Sequence, residues 1–109
     1  MAYFKPVMWV DVVPVTGGTV NVPITDAGTP VNVCLNHTAL IAALTIAFPV
    51  TGVQDGQIVK IASKSAVLAV TMNVESGGFL QGLLTALVGA GEGIYQFRKD
   101  NATWYKFSA

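Results

Sequence analysis

Apolar and polar residues alternate along most of this chain, and glycine, proline, asparagine or aspartate interrupts the alternation every few positions. That pattern predicts short half-buried strands joined by turns. Residues 8–15 form a first candidate strand, with Trp9 on one face and Val10 on the other; Pro14 confines its end to an edge or an arm. After a turn at Gly17-Gly18, residues 19–22 alternate, and residues 31–35 do so again beyond a loop at residues 26–30. Asp55-Gly56-Gln57 opens a strand over residues 58–61, and a second apolar strand covers residues 66–72. Ser63-Lys64-Ser65 is short enough to join these two as an antiparallel pair. Residues 93–107 read as a closing hairpin that turns near Asp100-Asn101, with Asn101 suited to the positive φ of a tight turn.

Two stretches resist this scheme. Residues 38–44 hold enough alanine and leucine for two helical turns, yet residues 44–48 alternate like a strand and stop at Pro49. A short element preceding a strand reconciles the two. Leu80, Leu83, Leu84 and Leu87 recur at helical spacing, but their segment has no charged face. It therefore also suits an irregular apolar cover over a barrel end or a subunit interface. No internal repeat or heptad is visible. The expected fold is all-β: a small antiparallel sandwich or jelly-roll-like barrel over residues 18–109, with residues 1–17 as an extended N-terminal arm.

Composition sharpens the picture. The 109 residues are 52% hydrophobic, with mean hydropathy +0.57, and only 11% are charged. An ordinary soluble domain carries roughly 25% charged residues, and a small one has the most surface to cover. A membrane protein, an oligomer, or a protein lying against a larger assembly would explain the deficit. A bilayer span needs about 20 apolar residues, and the longest uncharged apolar run, residues 39–50, is shorter and broken by Thr45. The N-terminus has Lys5-Pro6 and then an alternating segment with Asp11, not a signal peptide. Oligomerisation or docking remains, reinforced by residues 27–54, which carry no acid, lysine or arginine. The net charge is zero and the basic residues are interspersed with acids, which argues against nucleic acid. Cys34 has no partner for an internal disulfide and reads as a small buried hydrophobe.

Candidate chemistry is sparse. His37 stands beside Asn36 and Thr38 without a cysteine or acid at metal-ligand spacing and reads as a turn residue. The glycines of residues 89–93 lack the lysine and spacing of a phosphate loop. The acids lie singly near turns, and no calcium loop is present. Asn36-His37-Thr38 and Asn101-Ala102-Thr103 match the glycosylation triplet, by chance in a chain without a secretory signal. No catalytic, cofactor-binding or metal-binding residues are therefore expected. Tyr95 and Phe97 share one strand face, and Tyr105 and Phe107 share another. These aromatics suit hairpin packing, with a sugar-stacking platform as the alternative, and Trp104 projects opposite to its aromatic neighbours.

The order Asp55-Gly56-Gln57, apolar strand, glycine-rich connection and aromatic hairpin with Thr103-Trp104-Tyr105 resembles small all-β modules of tailed-bacteriophage virions, found in fibre proteins and in capsid decoration (cement) proteins. The resemblance spans residues 19–107 and implies a structural, non-enzymatic role, a homotrimer, and the major capsid protein as partner. Beginning at Met1 without a repetitive shaft, the chain fits a stand-alone decoration protein better than a fibre. The implied location is the capsid surface of the virion, after synthesis in the host cytoplasm. A receptor-binding fibre tip or other small tail or head-fibre component is the alternative, and a small lyase or hydrolase the third class. On this reading Tyr3, Phe4, Met8 and Trp9 contact the capsid or a neighbouring subunit. Leu80, Leu83, Leu84 and Leu87 form the oligomer interface, and Tyr95, Phe97, Trp104 and Tyr105 build the hairpin.

Overall fold

The computed structural model describes residues 7–25, 27–87 and 92–107. They form nine strands: β1 (Met8–Val12), β2 (Gly18–Asn21), β3 (Val31–Leu35), β4 (Ile41–Phe48), β5 (Ile58–Ser63), β6 (Val67–Val74), β7 (Phe79–Gln81), β8 (Glu92–Arg98) and β9 (Thr103–Lys106). The fold is all-β, as expected. The arrangement is not the antiparallel one. The strands β1 to β6 alternate between two sheets, and β7, β8 and β9 all join the first, giving the orders β1-β3-β5-β8-β9-β7 and β2-β4-β6. β1, β3 and β5 pair in parallel, and so do β2, β4 and β6. Each pair β1–β2, β3–β4 and β5–β6 is thus one turn of a short solenoid-like stack, on the order of 25 residues per turn.

The stacking explains the alternation. Val10 lies against Val33 and Val33 against Ile61, all pointing between the sheets. Val20, Ile46 and Met72 do the same in the other sheet, flanked by an outward column of Thr19, Thr45 and Thr71. One face of each strand therefore fills a common core while the other faces out. The corners stack as well: Asn36 N–H donates to the Val12 carbonyl at 2.7 Å, and Lys64 N–H to that of Leu35 at 2.8 Å. This geometry overturns the hairpin expected at residues 63–65. Ser63 and Lys64 carry the chain round a corner from one sheet to the other, so β5 and β6 never pair.

The helical expectations also fail, for tertiary reasons. β4 is hydrogen-bonded to β2 on one edge and β6 on the other, and a two-sided ladder outweighs the preference of its alanines for helix. Beyond β7, Gly82 takes φ +93°, and the chain runs irregularly along the outer edge of β6. There Val67 and Leu87 exchange backbone hydrogen bonds of 2.7 and 2.9 Å, and Val70 N–H reaches the Thr85 carbonyl at 2.9 Å. This is the irregular cover the sequence suggested as the alternative.

The two ends of the stack differ. At the C-terminal end the antiparallel pair β8–β9 continues the larger sheet beyond β5, β7 joins β9 in parallel, and residues 85–87 cover β6. At the N-terminal end β1 and β2 are edge strands among the described residues. Met8, Val10 and Val12 are only half-buried there, whereas their neighbours Val31, Val33 and Leu35 are at most 2% exposed.

Candidate functional site

The residues that carried the resemblance turn out to hold the C-terminal cap onto the stack. Gly56 takes φ +82° in a turn, which favours glycine. Its N–H donates to the Phe97 carbonyl at 2.8 Å, and Phe97 N–H returns a bond to the Gln57 carbonyl at 2.9 Å. Asp55 Oδ1 accepts Lys99 N–H at 2.9 Å, fixing the tip of the hairpin. The Gln57 side chain is buried, and its amide nitrogen donates to the carbonyls of Thr29 at 2.7 Å and Ile58 at 3.1 Å, joining two loops. The hairpin turns through a 3-10 segment, Lys99–Asn101, and the positive φ falls on Ala102 at 52°, not on Asn101.

Below this clamp, Trp104 sits fully buried with its ring 5.1 Å from Phe48 and 5.0 Å from Phe97. Its indole N–H donates to the Pro49 carbonyl at 2.9 Å. Tyr95 packs 5.0 Å from Phe48 and donates its hydroxyl to the Gly82 carbonyl at 3.0 Å. Burial pushes its phenol up to about 12. Tyr95, Phe97 and Trp104 are therefore core residues, while Tyr105 and Phe107 point the other way, with ring centroids 6.4 Å apart.

That outer face of the six-stranded sheet holds two of the exposed aromatic side chains among the described residues. Trp9 and Phe107 are 67% and 66% exposed. Register places them in one row: Trp9 is opposite Asn32, Asn32 opposite Lys60, Lys60 opposite Ile94, and Phe107 N–H bonds to the Ile94 carbonyl at 2.8 Å. A cleft of about 460 Å³ is walled by Tyr105 and Phe107 and edged by Asp55, Gln96 and Arg98. Gln96 is held by a 3.2 Å bond from its amide nitrogen to the Gly56 carbonyl, which points its oxygen elsewhere. Arg98 is paired to Asp100 at 2.8 Å, and that carboxylate raises its pKa. A second cleft of about 220 Å³ lies beside Trp9, between Asn32, Cys34 and Lys60. Cys34 is half-buried on this outer face, not in the core where the sequence placed it.

The other expected site residues scatter. Tyr3 and Phe4 lie outside the described residues. Met8 packs against the core from β1, so it and Trp9 belong to a strand of the larger sheet. Of the four leucines, Leu87 is fully buried, Leu80 and Leu84 pack against the core, and only Leu83 is exposed, at 59%. His37 is buried at a corner, its Nε2 3.3 Å from the Ala66 carbonyl. Because a carbonyl only accepts, Nε2 carries the proton, and Nδ1 has no partner among the described residues. No three His, Cys, Asp or Glu side chains converge on a metal position among the described residues, and no helix there is long and apolar enough to cross a membrane.

Sequence reasoning missed the row from Trp9 to Phe107 because it depends on parallel pairing between distant strands. The local signals were the shared face of Tyr105 and Phe107 and the opposite faces of Trp9 and Val10, neither of which says which face turns outward. No family model, no curated protein and no solved structure matches the chain.

Proposed function

We propose that the chain is a structural protein of a tailed-bacteriophage virion, a capsid decoration (cement) protein that docks by the open N-terminal end of its stack and trimerises. The observation that carries this reading is the unequal capping of the two ends. The C-terminal end is closed by a hairpin and a covering segment, while the N-terminal end leaves two strand edges unpaired among the described residues and its core layer half-covered. Open edges invite added strands and are normally blunted by charge or proline. Here β1 has only Asp11 and β2 has no charge. The outer face of β2, β4 and β6 presents Thr19, Thr45 and Thr71 among alanines and asparagines, an uncharged surface suited to self-association. A protein that binds only the assembled shell stabilises it by mass action, and several copies per contact network add strength through multivalency.

The backbone of β1 provides the test. Met8 N–H and the Val12 carbonyl both face β3, so the backbone groups of Trp9 and Asp11 face the open edge. Asp11→Pro removes an edge donor without touching the β1–β3 ladder, with Asp11→Ala as the control for the side chain. Purified protein is mixed with expanded capsids lacking decoration, and co-sedimentation is measured. Wild type and Asp11→Ala should sediment with the shells and Asp11→Pro should not. Failure of wild type to sediment refutes the reading, and equal binding by all three refutes docking through the edge. Light scattering should give three times the chain mass, and a single-chain mass at all concentrations refutes the trimer.

A receptor-binding fibre tip is the second reading, favoured by the exposed Trp9 and Phe107 on one sheet face.

A further inference from the structure

We infer that the outer face of the six-stranded sheet binds a neutral oligosaccharide, laid across the strands with one end on Phe107 and Tyr105 and the other on Trp9. The face stands at the side of the stack, so this inference is independent of whether the open end docks to a capsid.

Three observations converge on this class of ligand. First, two aromatic side chains are each about two-thirds exposed, at 67% and 66%, on the same face. Large apolar rings left in water mark contact sites when they cluster around a concavity. Second, each ring walls a cleft whose rim is polar. The cleft of about 460 Å³ at Phe107 and Tyr105 is rimmed by Asp55, Gln96 and Arg98. The cleft of about 220 Å³ at Trp9 is rimmed by Asn32 and Lys60. A pyranose has that same division, with an apolar C–H face for stacking and hydroxyls around its edge. Hydrogen-bonding capacity remains for those hydroxyls. Asp55 spends one carboxylate oxygen on Lys99 N–H, and Gln96 spends its amide nitrogen on Gly56, which leaves the second Asp55 oxygen and the single Gln96 amide oxygen as acceptors. Third, the Trp9 and Phe107 rings stand four strand spacings apart along one register row, about 19 Å, with the two clefts between them. One sugar ring cannot reach both, but a chain of several can.

The charges on the face select against a polyanion. Asp11 and Asp55 balance Lys60 and Arg98, and Arg98 is already engaged by Asp100. Binding to phosphate or sulfate chains needs clustered, uncompensated positive charge.

The test is 1H–15N correlation spectroscopy of the intact protein titrated with cellotetraose, maltotetraose, mannotetraose and chitotetraose, alongside the matching monosaccharides. At least one tetrasaccharide should shift the Gln96 side-chain amide and the Trp9 indole N–H together, with millimolar or tighter affinity. Its monosaccharide should bind more weakly and shift one cleft only. Trp9→Ala and Phe107→Ala, both at exposed positions, should keep a dispersed folded spectrum and each weaken the tetrasaccharide by roughly tenfold. The inference fails if no tetrasaccharide shifts either cleft, if shifts survive both substitutions, or if only one cleft responds. It fails equally if heparin binds and the neutral sugars do not. If the two substitutions instead reduce the particle mass in sedimentation, the face is a subunit contact and the sugar site is refuted. Capsid co-sedimentation of Trp9→Ala and Phe107→Ala separates the two hypotheses, because docking through the open edge should survive the loss of Phe107.

Discussion

The two tryptophans should respond oppositely to truncation. Trp104 has no solvent exposure, its ring lies 5.1 Å from Phe48 and 5.0 Å from Phe97, and its N–H bonds to the Pro49 carbonyl at 2.9 Å. Cutting a buried tryptophan to alanine costs about 3–5 kcal/mol. The stranded Pro49 carbonyl adds roughly 1 kcal/mol. A domain of this size has a total stability of about 5–15 kcal/mol, so Trp104→Ala should lower the melting temperature by on the order of 15–30 °C or abolish folding. Trp104→Phe keeps a ring between Phe48 and Phe97 but loses the N–H, and should cost about 1–3 kcal/mol. Trp9→Ala, at 67% exposure, should stay within about 0.5 kcal/mol of wild type. Urea unfolding followed by circular dichroism measures all three. If Trp104→Ala melts like wild type, or if Trp9→Ala is the more damaging change, the placement of Trp104 beneath the hairpin clamp is wrong.

Three further outcomes follow from local geometry. Tyr95, its phenol pushed up to about 12 by burial, favours the fold in its neutral form. That contribution is complete below the ordinary tyrosine range near 10 and is lost as pH rises from about 10 to about 12; an ultraviolet titration should lose its last-ionising component in Tyr95→Phe. Glu75 accepts the backbone N–H groups of Val50 and Thr51, both at 2.7 Å, and the Thr51 hydroxyl at 2.9 Å, which holds its carboxyl below the usual range. Its stabilising effect is present above the ordinary carboxylate range and is lost as pH falls through the lowered folded value, so Glu75→Gln should flatten the acid limb of a stability–pH curve. Gly78→Ala would drive a methyl group into Val50 Cγ2 and to 2.8 Å from Val74 Cγ2, and should cost about 1–3 kcal/mol in chemical denaturation.

Strand positions were legible wherever alternation was clean. β2, β3, β5 and the C-terminal hairpin lie where the pattern put them, because a strand between core and solvent needs only a period of two. Alternation also put Tyr95 with Phe97 on one face and Tyr105 with Phe107 on another, but not which face turns inward: Tyr105 and Phe107, expected in the hairpin packing, point outward, and Trp104 beside them is the buried ring. What alternation does not encode is the neighbour: the same pattern serves an antiparallel hairpin and a parallel turn of a solenoid, and only the corner geometry at residues 63–66 distinguishes them. Leucine spacing misled similarly. Leu80, Leu84 and Leu87 all reach the core, Leu80 from strand β7 and the other two from an irregular chain draped over β6, so their helical period has no helix behind it.

The expectation of no internal repeat is wrong, and the repeat stands openly in one column while the other hides it. Thr19, Thr45 and Thr71 recur at equal intervals, each followed by an inward apolar residue, Val20, Ile46 and Met72. In the larger sheet the equivalents Met8, Val31 and Val59 are unevenly spaced, because the connecting loops differ in length. A search for strict periodicity fails on that column although the register in space is regular. The same stack supplies a second explanation for the uncharged stretch at residues 27–54. Those residues hold β3 and β4, the middle turn, whose strands are paired on both edges by the turns before and after. Their lack of charge can be satisfied inside one chain, and the case for self-association therefore passes to the outer faces. On the three-stranded side the outward residues of the middle turn, Ala43, Thr45 and Ala47, are small, uncharged and half-buried among the described residues. That side, more than the leucines, is where a sister subunit would be expected to rest.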